Sequence, residues 1–576
     1  MPGKAYPDEP LFRYNWTAMT DGAIQAAIDQ VANEGPVSAS QIDLGLAGET
    51  LQIVTDKGPA GQGPILSYRF ATGNRLTLSE NGGDGIKAGY SALTLGGMTF
   101  LAHLIPDTMR GFALVIDNDT RIATVIELWF GGHARKREVM REMWQGYAYQ
   151  ADEAVPEKRH IATNRLEGKA FYWKQDAGHE TLEFFSTAAY SHFVELSRMD
   201  RKQGYCAPSD YIEIKDGLGI YTRTECEFSG IFTAYVVDLN ALKQIGLRLG
   251  FNAADELEFY LFRGEGEWLG QVAQFEKFED VSGDPLARPD NTKGSRRVYR
   301  PLETMTKMTE AEVAAVVAKG PKVFAGPSVM AGNGHEPTDL LSGLKFTVRY
   351  DNGPVMDYDF TGAEELRWRM DGGAWKTDRY NAWEAVPGVF MFGHLLGGAK
   401  DHDGHIVVAD LQSGMATCYN GYLNTPWIAN EAGARTYFGK LEGAHIPDPG
   451  SKRHGYTEEM LGRCLTWNYS PGLTSMHLYS TPYTTSWIIF TPTGHGGTSW
   501  AGSGSQVKIR DGLYFIYWVE EACNGTLGTI LVNMRTMHDT GIGYHCGDEG
   551  LSMSPVGAIA RHAGQFDLQR FFEPRA

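Results

Sequence analysis

Residues 215–230 read KDGLGIYTRTECEFSG, and residues 510–525 read RDGLYFIYWVEEACNG. Each copy sets an Asp-Gly pair before an aliphatic and aromatic run that ends near a glutamate, Glu225 in one and Glu520 in the other, at an offset of 295. Asp-Gly between two such runs marks a tight hairpin turn, because glycine accepts the positive φ the turn needs. Both stretches therefore read as the second strand of an antiparallel hairpin.

The offset recurs upstream. GKAFYWKQDAGHETLEFFST from Gly168 lies over GRCLTWNYSPGLTSMHLYST from Gly462, with Trp173 over Trp467. GFALVIDNDTRIATVIE from Gly111 lies over GHIVVADLQSGMATCYN from Gly404. Three blocks in one order on a near-constant offset read as a tandem duplication. A weaker echo runs inside each half: GNRLTLSENGG at 73 resembles the block at 168, and RIATVIEL at 121 resembles IFTAYVVDL at 231.

Within the blocks apolar residues alternate, Leu76 with Leu78 and Phe171 with Trp173, which is the period of a strand with one face buried. Many short antiparallel strands with few helices predict a mainly β fold of tandem calycin- or lipocalin-like barrels, up to four units in two halves. The expected division is an N-terminal extension with a helix (1–72), barrel-like units at 73–160 and 161–279, a linker at 280–340, and units at 341–455 and 456–576. Helices are expected at 21–33 and 310–319, the second from a Thr309/Glu312 capping-box pattern.

Composition narrows the partners. A formal charge of −18 disfavours nucleic acid and anionic membrane. The basic run HARKREVMR at 133–141 reads as a solvated patch. The start, MPGKAYPDEPLFRYNW, lacks an apolar signal core, and six cysteines (206, 226, 418, 464, 523, 546) show no framework spacing, so a cytoplasmic protein with reduced thiols is expected. Self-association is compatible with this composition.

The GKAFYW start at 168, the DGLGIY turn at 216, the SGIFTAYVVDL strand at 229 and their counterparts in the second half resemble the MoaF family, named after molybdenum cofactor biosynthesis protein F. The resemblance spans about 73–278 and 343–575 and implies calycin-type barrels; here the whole arrangement occurs twice. No pterin or molybdenum role is carried over to particular residues. More loosely the barrel is similar to that of phenolic acid decarboxylases, in which paired tyrosines, an arginine and a glutamate handle a phenolic acid without cofactor.

DHDGH at 401–405 places His402 and His405 beside Asp401 and Asp403, but reads as a turn before a strand; no metal is expected. GHGGTSWAGSGS at 494–505 lacks the Lys-Ser/Thr of a phosphate loop, so no nucleotide cofactor is expected. What remains is a polar and aromatic lining. Counting by two, Tyr221, Arg223 and Glu225 share a face, and Tyr190 and His192 share another strand's face. The expected catalytic residues are Tyr190, His192, Arg223 and Glu225, and the expected substrate-binding residues are Trp173, Tyr221, Tyr483, Tyr514 and Glu520. Arg223 would orient an anion, and Tyr190 or His192 would move a proton. The function expected is a cofactor-independent lyase acting by acid–base chemistry on a small aromatic or phenolic compound. The alternative is a non-catalytic, lipocalin-type binding protein, and the partner in either case is a small molecule.

Overall fold

The computed structural model describes residues 17–38, 45–58, 61–131, 136–163, 165–187, 190–197, 204–225, 229–272, 306–397, 402–490, 499–521 and 523–572. It is mainly β, with four large sheets rolled into barrels or near-barrels. The chain divides into two compact units, one built chiefly on residues 13–271 and the other on 302–576.

In the first unit, helix Asp21–Ala32 starts at Thr20, whose side chain accepts from the Ala23 N–H, and it buries Ile24, Ile28 and Ala32 at helical spacing. A nine-stranded antiparallel sheet follows. Its two end strands, Ile86–Gly89 and Ser91–Leu95, are separated only by Tyr90, so the chain itself closes the roll. This sheet begins before residue 73: Thr50–Thr55 and Ile65–Thr72 lie between Arg75–Glu80 and Val139–Ala148. The alternating burial of Leu66, Tyr68 and Phe70 gives the same period-two signal as the strands after them.

Among the described residues the second barrel is closed by eight strands, Lys169–Gln175, Glu180–Thr187, Tyr190–Glu195, Gly204–Lys215, Leu218–Thr224, Phe232–Asp238, Lys243–Phe251 and Leu257–Gln271, with Val37–Ser38 and Ile161–Ala162 as short additions to the last and the fourth. Each pairs with the next, and the long last strand pairs with both its predecessor and the first, so no edge remains. The predicted Asp216-Gly217 turn joins the fourth and fifth strands, with Gly217 at φ 77. The two barrels of this unit pack outer face to outer face. Leu104, Val115, Ile126 and Phe130 of the first meet Ile220, Phe232, Leu247 and Phe251 of the second in one core.

Of the basic run at 133–141, expected as a solvated patch, residues 136–141 are described, and among their basic groups Lys136 alone is exposed. Arg137 and Arg141 are buried. Arg141 Nε lies 2.6 Å from Asp210 Oδ2 and its Nη1 donates to Thr224 Oγ1 at 2.8 Å, while Arg137 Nη1 lies 2.6 Å from Asp255 Oδ1. A guanidinium can be buried in this way because its fixed fork meets a carboxylate and several oxygens at once.

The second unit repeats the plan. In its nine-stranded sheet the end strands Lys376–Arg379 and Asn381–Val386 flank Tyr380, as their counterparts flank Tyr90. The fourth barrel runs from Arg463–Ser470 to His538–Gly547 and is completed by Gly550–Val556 and Ile559–Gln565, which divide the work of the single strand Leu257–Gln271. Pairing matches in detail: Lys169 faces Gln271 with a register shift after Ala170, and Arg463 faces Gln565 with a shift after Cys464. The Asp511-Gly512 turn joins Ser499–Arg510 to Leu513–Val519, the place Asp216-Gly217 holds in the first unit.

The stretch expected as a linker at 280–340 carries structure in its described part. Helix Glu310–Val317 has the expected capping box at Thr309 and Glu312, and Lys322–Val323 pairs in parallel with Ser552–Met553. Residues 273–305 lie outside the described residues.

Candidate functional site

The interior of the 169–271 barrel follows from strand alternation. Trp173, Glu183, Phe193, Tyr221, Arg223 and Tyr235 are all buried; Tyr221, Arg223 and Tyr235 stand on the strands Leu218–Thr224 and Phe232–Asp238, whose other faces supply Ile220, Phe232, Ala234 and Val236 to the core shared with the first barrel. One part is aromatic: Tyr221 stacks on Tyr235 with centroids 4.1 Å apart, Phe185 meets Tyr221 edge-on at 5.1 Å, and Phe171 stacks on Trp173 at 5.7 Å. The other part is charged.

Arg223 is its centre. The guanidinium lies 3.7 Å from the Phe193 ring centroid and 5.5 Å from that of Tyr235, it donates to Glu183, and its Nε is 3.9 Å from Glu225 Oε1. Glu225 in turn accepts from Arg248 at 3.1 Å and from the Ser229 hydroxyl at 2.6 Å, and Arg248 reaches Glu258 at 2.7 Å. Burial would lower the Arg223 pKa, but Glu183, Tyr235 and Glu225 raise it, so the cation is secure. For Glu183, burial raises the pKa more than Arg223 lowers it.

A second chain of polar groups went unread in the sequence. His179 Nδ1 lies 2.5 Å from Glu195 Oε1, and Tyr260 OH lies 2.8 Å from His179 Nε2. Burial pushes the Glu195 carboxyl up, but the bond and charge of His179 with Arg248 and Arg223 outweigh it and bring the pKa down to about 2. An ionised Glu195 can only accept, so the His179 Nδ1 that faces it carries a proton, and Nε2 lies against the Tyr260 hydroxyl. The three residues stand at 179, 195 and 260, on or beside three different strands, and only the closed barrel brings them together.

The predicted residues are thus divided. Trp173, Tyr221, Arg223 and Glu225 share the interior; the Tyr221 hydroxyl, the Trp173 indole N–H and Arg223 Nε have no hydrogen-bond partner among the described residues. Tyr190 and His192 face the other way. His192 stacks on Phe184 at 5.3 Å and its Nδ1 lies 3.5 Å from Cys206 Sγ, whereas it is the alternate residues Ser191 and Phe193 that meet Ser209 and Arg223. Burial, against a bond to the Tyr205 backbone, lowers the His192 pKa to about 3.

In the fourth barrel Tyr514 donates to Glu459, and burial, with that bond, raises its pKa to about 12. Glu520 accepts from the Trp518 indole N–H at 3.3 Å and from Asn524, and burial raises its pKa. Tyr483 sits in the turn between strands, with its backbone N–H donating to Thr481 Oγ1 at 2.9 Å. Where the second barrel has Glu183 and Arg223, the fourth has His477 and Trp518, edge to face at 4.9 Å.

Among the described residues no three His, Cys, Asp or Glu side chains converge as a metal site would require. His405 is buried in the third sheet, with Nδ1 3.3 Å from Tyr358 OH; Asp401 lies outside the described residues. Cys206, Cys418, Cys464, Cys523 and Cys546 are free thiols, and Cys226 is outside the described residues. No described helix is long and apolar enough to cross a membrane.

No curated protein matches the chain. Among solved structures, the crystal structure of the LG1-3 region of the laminin alpha2 chain is 9% identical over 71% of this chain and 90% of that one, with a TM-score of 0.11, which carries no argument about fold or function. The sequence signatures are more informative. Residues 329–425 match the MoaF N-terminal domain and residues 454–565 the MoaF C-terminal domain, so the second half of the chain contains one MoaF-like pair of domains.

Proposed function

We propose that this protein binds a small aromatic or phenolic molecule inside the 169–271 barrel. The observation that carries the reading is the interior itself: a guanidinium held between two rings, beside tyrosine and tryptophan groups whose polar atoms are buried without partners. Unpaired buried donors are costly, and a ligand with a ring and an oxygen function would satisfy them. We also infer that the two units descend from one duplicated ancestor, in which the arrangement of residues 329–565 was the repeated piece; the shared strand register supports this. On that reading the chain holds four barrel domains, the first starting near Thr50.

A lyase is the catalytic version of the same reading, and one feature favours it. The Glu195, His179 and Tyr260 chain would let Tyr260 take a proton from a phenol or return one to a carbanion. Tyr190 and His192 do not share that space.

Native mass spectrometry of the purified chain, followed by calorimetric titration with hydroxycinnamic and hydroxybenzoic acids, tests the binding. Arg223→Met should abolish a signal that the wild type gives. Binding unchanged in this variant would remove the site from this barrel. Product analysis then separates catalyst from carrier: Tyr260→Phe should lower turnover about 10²–10⁴-fold without loss of affinity, and the absence of any product from a bound ligand leaves the carrier reading alone.

A further inference from the structure

The glutamate that opened the sequence comparison is retained in both barrels, but its surroundings are not. In the 169–271 barrel Glu225 has Arg248 at 3.1 Å and Arg223 at 3.9 Å. Register assigns their counterparts. Arg223 faces Thr233, which faces Arg248, which faces Tyr260; Trp518 faces Gly528, which faces Gly543, which faces Ser554. Glu520 has therefore lost both cations, to a tryptophan and a glycine. Its partners among the described residues are the Trp518 indole N–H and the Asn524 amide, and no ion pair reaches it.

The backbone at the vacated position is not crowded. A Cβ built on Gly543 would meet nothing closer than Val556 at 3.8 Å. Alongside it, Ser554 and Ser552 stand where the second barrel has Tyr260 and Glu258. Three long side chains are thus missing from one wall, and one is gained, His545 in the place of Gly250. Rings line the rest: Trp487, Trp500 and Trp518 are 4%, 2% and 3% exposed, and His477 lies against Trp518. His477 Nδ1 is buried with no partner among the described residues. Burial lowers that imidazole to about 3, so it brings no competing charge.

We propose that the fourth barrel binds a small organic cation, a primary ammonium or amidinium on an apolar body, with the charge at Glu520 in the place of the missing arginines and the body over Gly543 against the indoles. A half-buried carboxylate without a cation gains most from one, and indole faces attract the same charge. This site is independent of the one proposed for the 169–271 barrel.

The test is titration of the full-length protein with phenethylammonium and benzamidine, and with 2-phenylethanol as the neutral counterpart, read by calorimetry and tryptophan fluorescence. The amine or the amidine should bind at least tenfold more tightly than the alcohol. Glu520→Gln should weaken cation binding at least tenfold, and Gly543→Arg, which restores the second barrel's own partner, should abolish it. Arg223→Met should leave cation binding unchanged, which separates this site from the other. If Gly543→Arg does not fold, as judged by circular dichroism, the near-isosteric Glu520→Gln carries the test. Equal binding of alcohol and cation, cation binding unchanged in Glu520→Gln, or no binding of either cation at millimolar concentration would overturn the proposal.

Discussion

The barrel at 169–271 and the barrel at 463–565 share strand order, pairing register and a register shift at the same place, yet they fill their interiors with opposite chemistry. One holds Arg223 and Arg248 in linked pairs with Glu183, Glu225 and Glu258; the other puts Trp518 and Gly543 where the arginines were and His477 where Glu183 was. The difference teaches that the outer faces and turns specify the fold, while the inner face is free to change. A buried ion pair contributes little net stability over a well-packed neutral pair of similar volume, so exchanging both members together is cheap. Exchanging one is not.

That asymmetry gives the largest expected effect. Arg223→Trp alone leaves Glu183, fully buried, without its cation, and should cost about 3–5 kcal/mol in the stability of the first unit. The double variant Glu183→His with Arg223→Trp installs the fourth barrel's own pair and should recover most of the loss. Chemical unfolding of the two variants measures both. Equal destabilisation of single and double variants would show that the two interiors are not interchangeable and would break the comparison.

A second contrast lies at Gln244 and its counterpart Asp539, which register places opposite Val237 and Val532 respectively. Asp539 is 1% exposed; its Oδ1 accepts from the Ala558 N–H at 2.5 Å and its Oδ2 has no partner among the described residues. Burial raises its pKa to about 8, against the Ala558 bond. The folded state thus keeps a proton that the unfolded chain releases near pH 4. Stability from this group is complete below that pH and falls as pH rises towards 8, by about 1.4 kcal/mol per unit across the window. Asp539→Asn should remove this dependence, so that its advantage in melting temperature over the wild type grows between pH 5 and 8. A constant difference across that range would remove Asp539 as the titrating group.

Much of the fold was legible because turns and alternation are local. The Asp-Gly pairs and the period-two runs announce a mainly β fold of antiparallel barrels, and the Thr309 cap announces a helix. The site was legible only along single strands. Tyr221 and Arg223 lie two apart on one strand and so share a face, and Glu225 follows one residue past its end. Which face of a neighbouring strand points inward depends on pairing register, and so Tyr190 and His192 were grouped with Arg223 although Phe193 is the residue beneath it. For the same reason His179, Glu195 and Tyr260 could not be found, since 81 residues separate Tyr260 from the ring it contacts. In the described part of the basic run, 136–141, Arg137 and Arg141 misled because charge says nothing of burial when a guanidinium finds oxygens to fill its fork.

The smallest expected effect concerns the bond between barrels within each unit. In the second unit Arg510 makes two bonds to the buried Asp410, Nε to Oδ2 at 2.8 Å and Nη2 to Oδ1 at 2.5 Å. In the first unit the equivalent pair is Lys215 and Asp117, a single contact of 3.5 Å, and Lys215 also reaches Asp119 at 3.4 Å. Burial would raise the Asp410 pKa, but the Arg510 bond and those from Ser413 lower it, so the carboxylate is charged and its geometry matters. A lysine cannot reproduce a planar two-point contact. Arg510→Lys should therefore cost about 1 kcal/mol, and Lys215→Arg should add about 0.5 kcal/mol or less because that end is more exposed. Both shifts should shrink in high salt, the second more than the first. Melting curves of the two variants at low and high ionic strength measure this; a larger effect at Lys215 than at Arg510 would mean that the two latches are not equivalent, although the barrels they join are built alike.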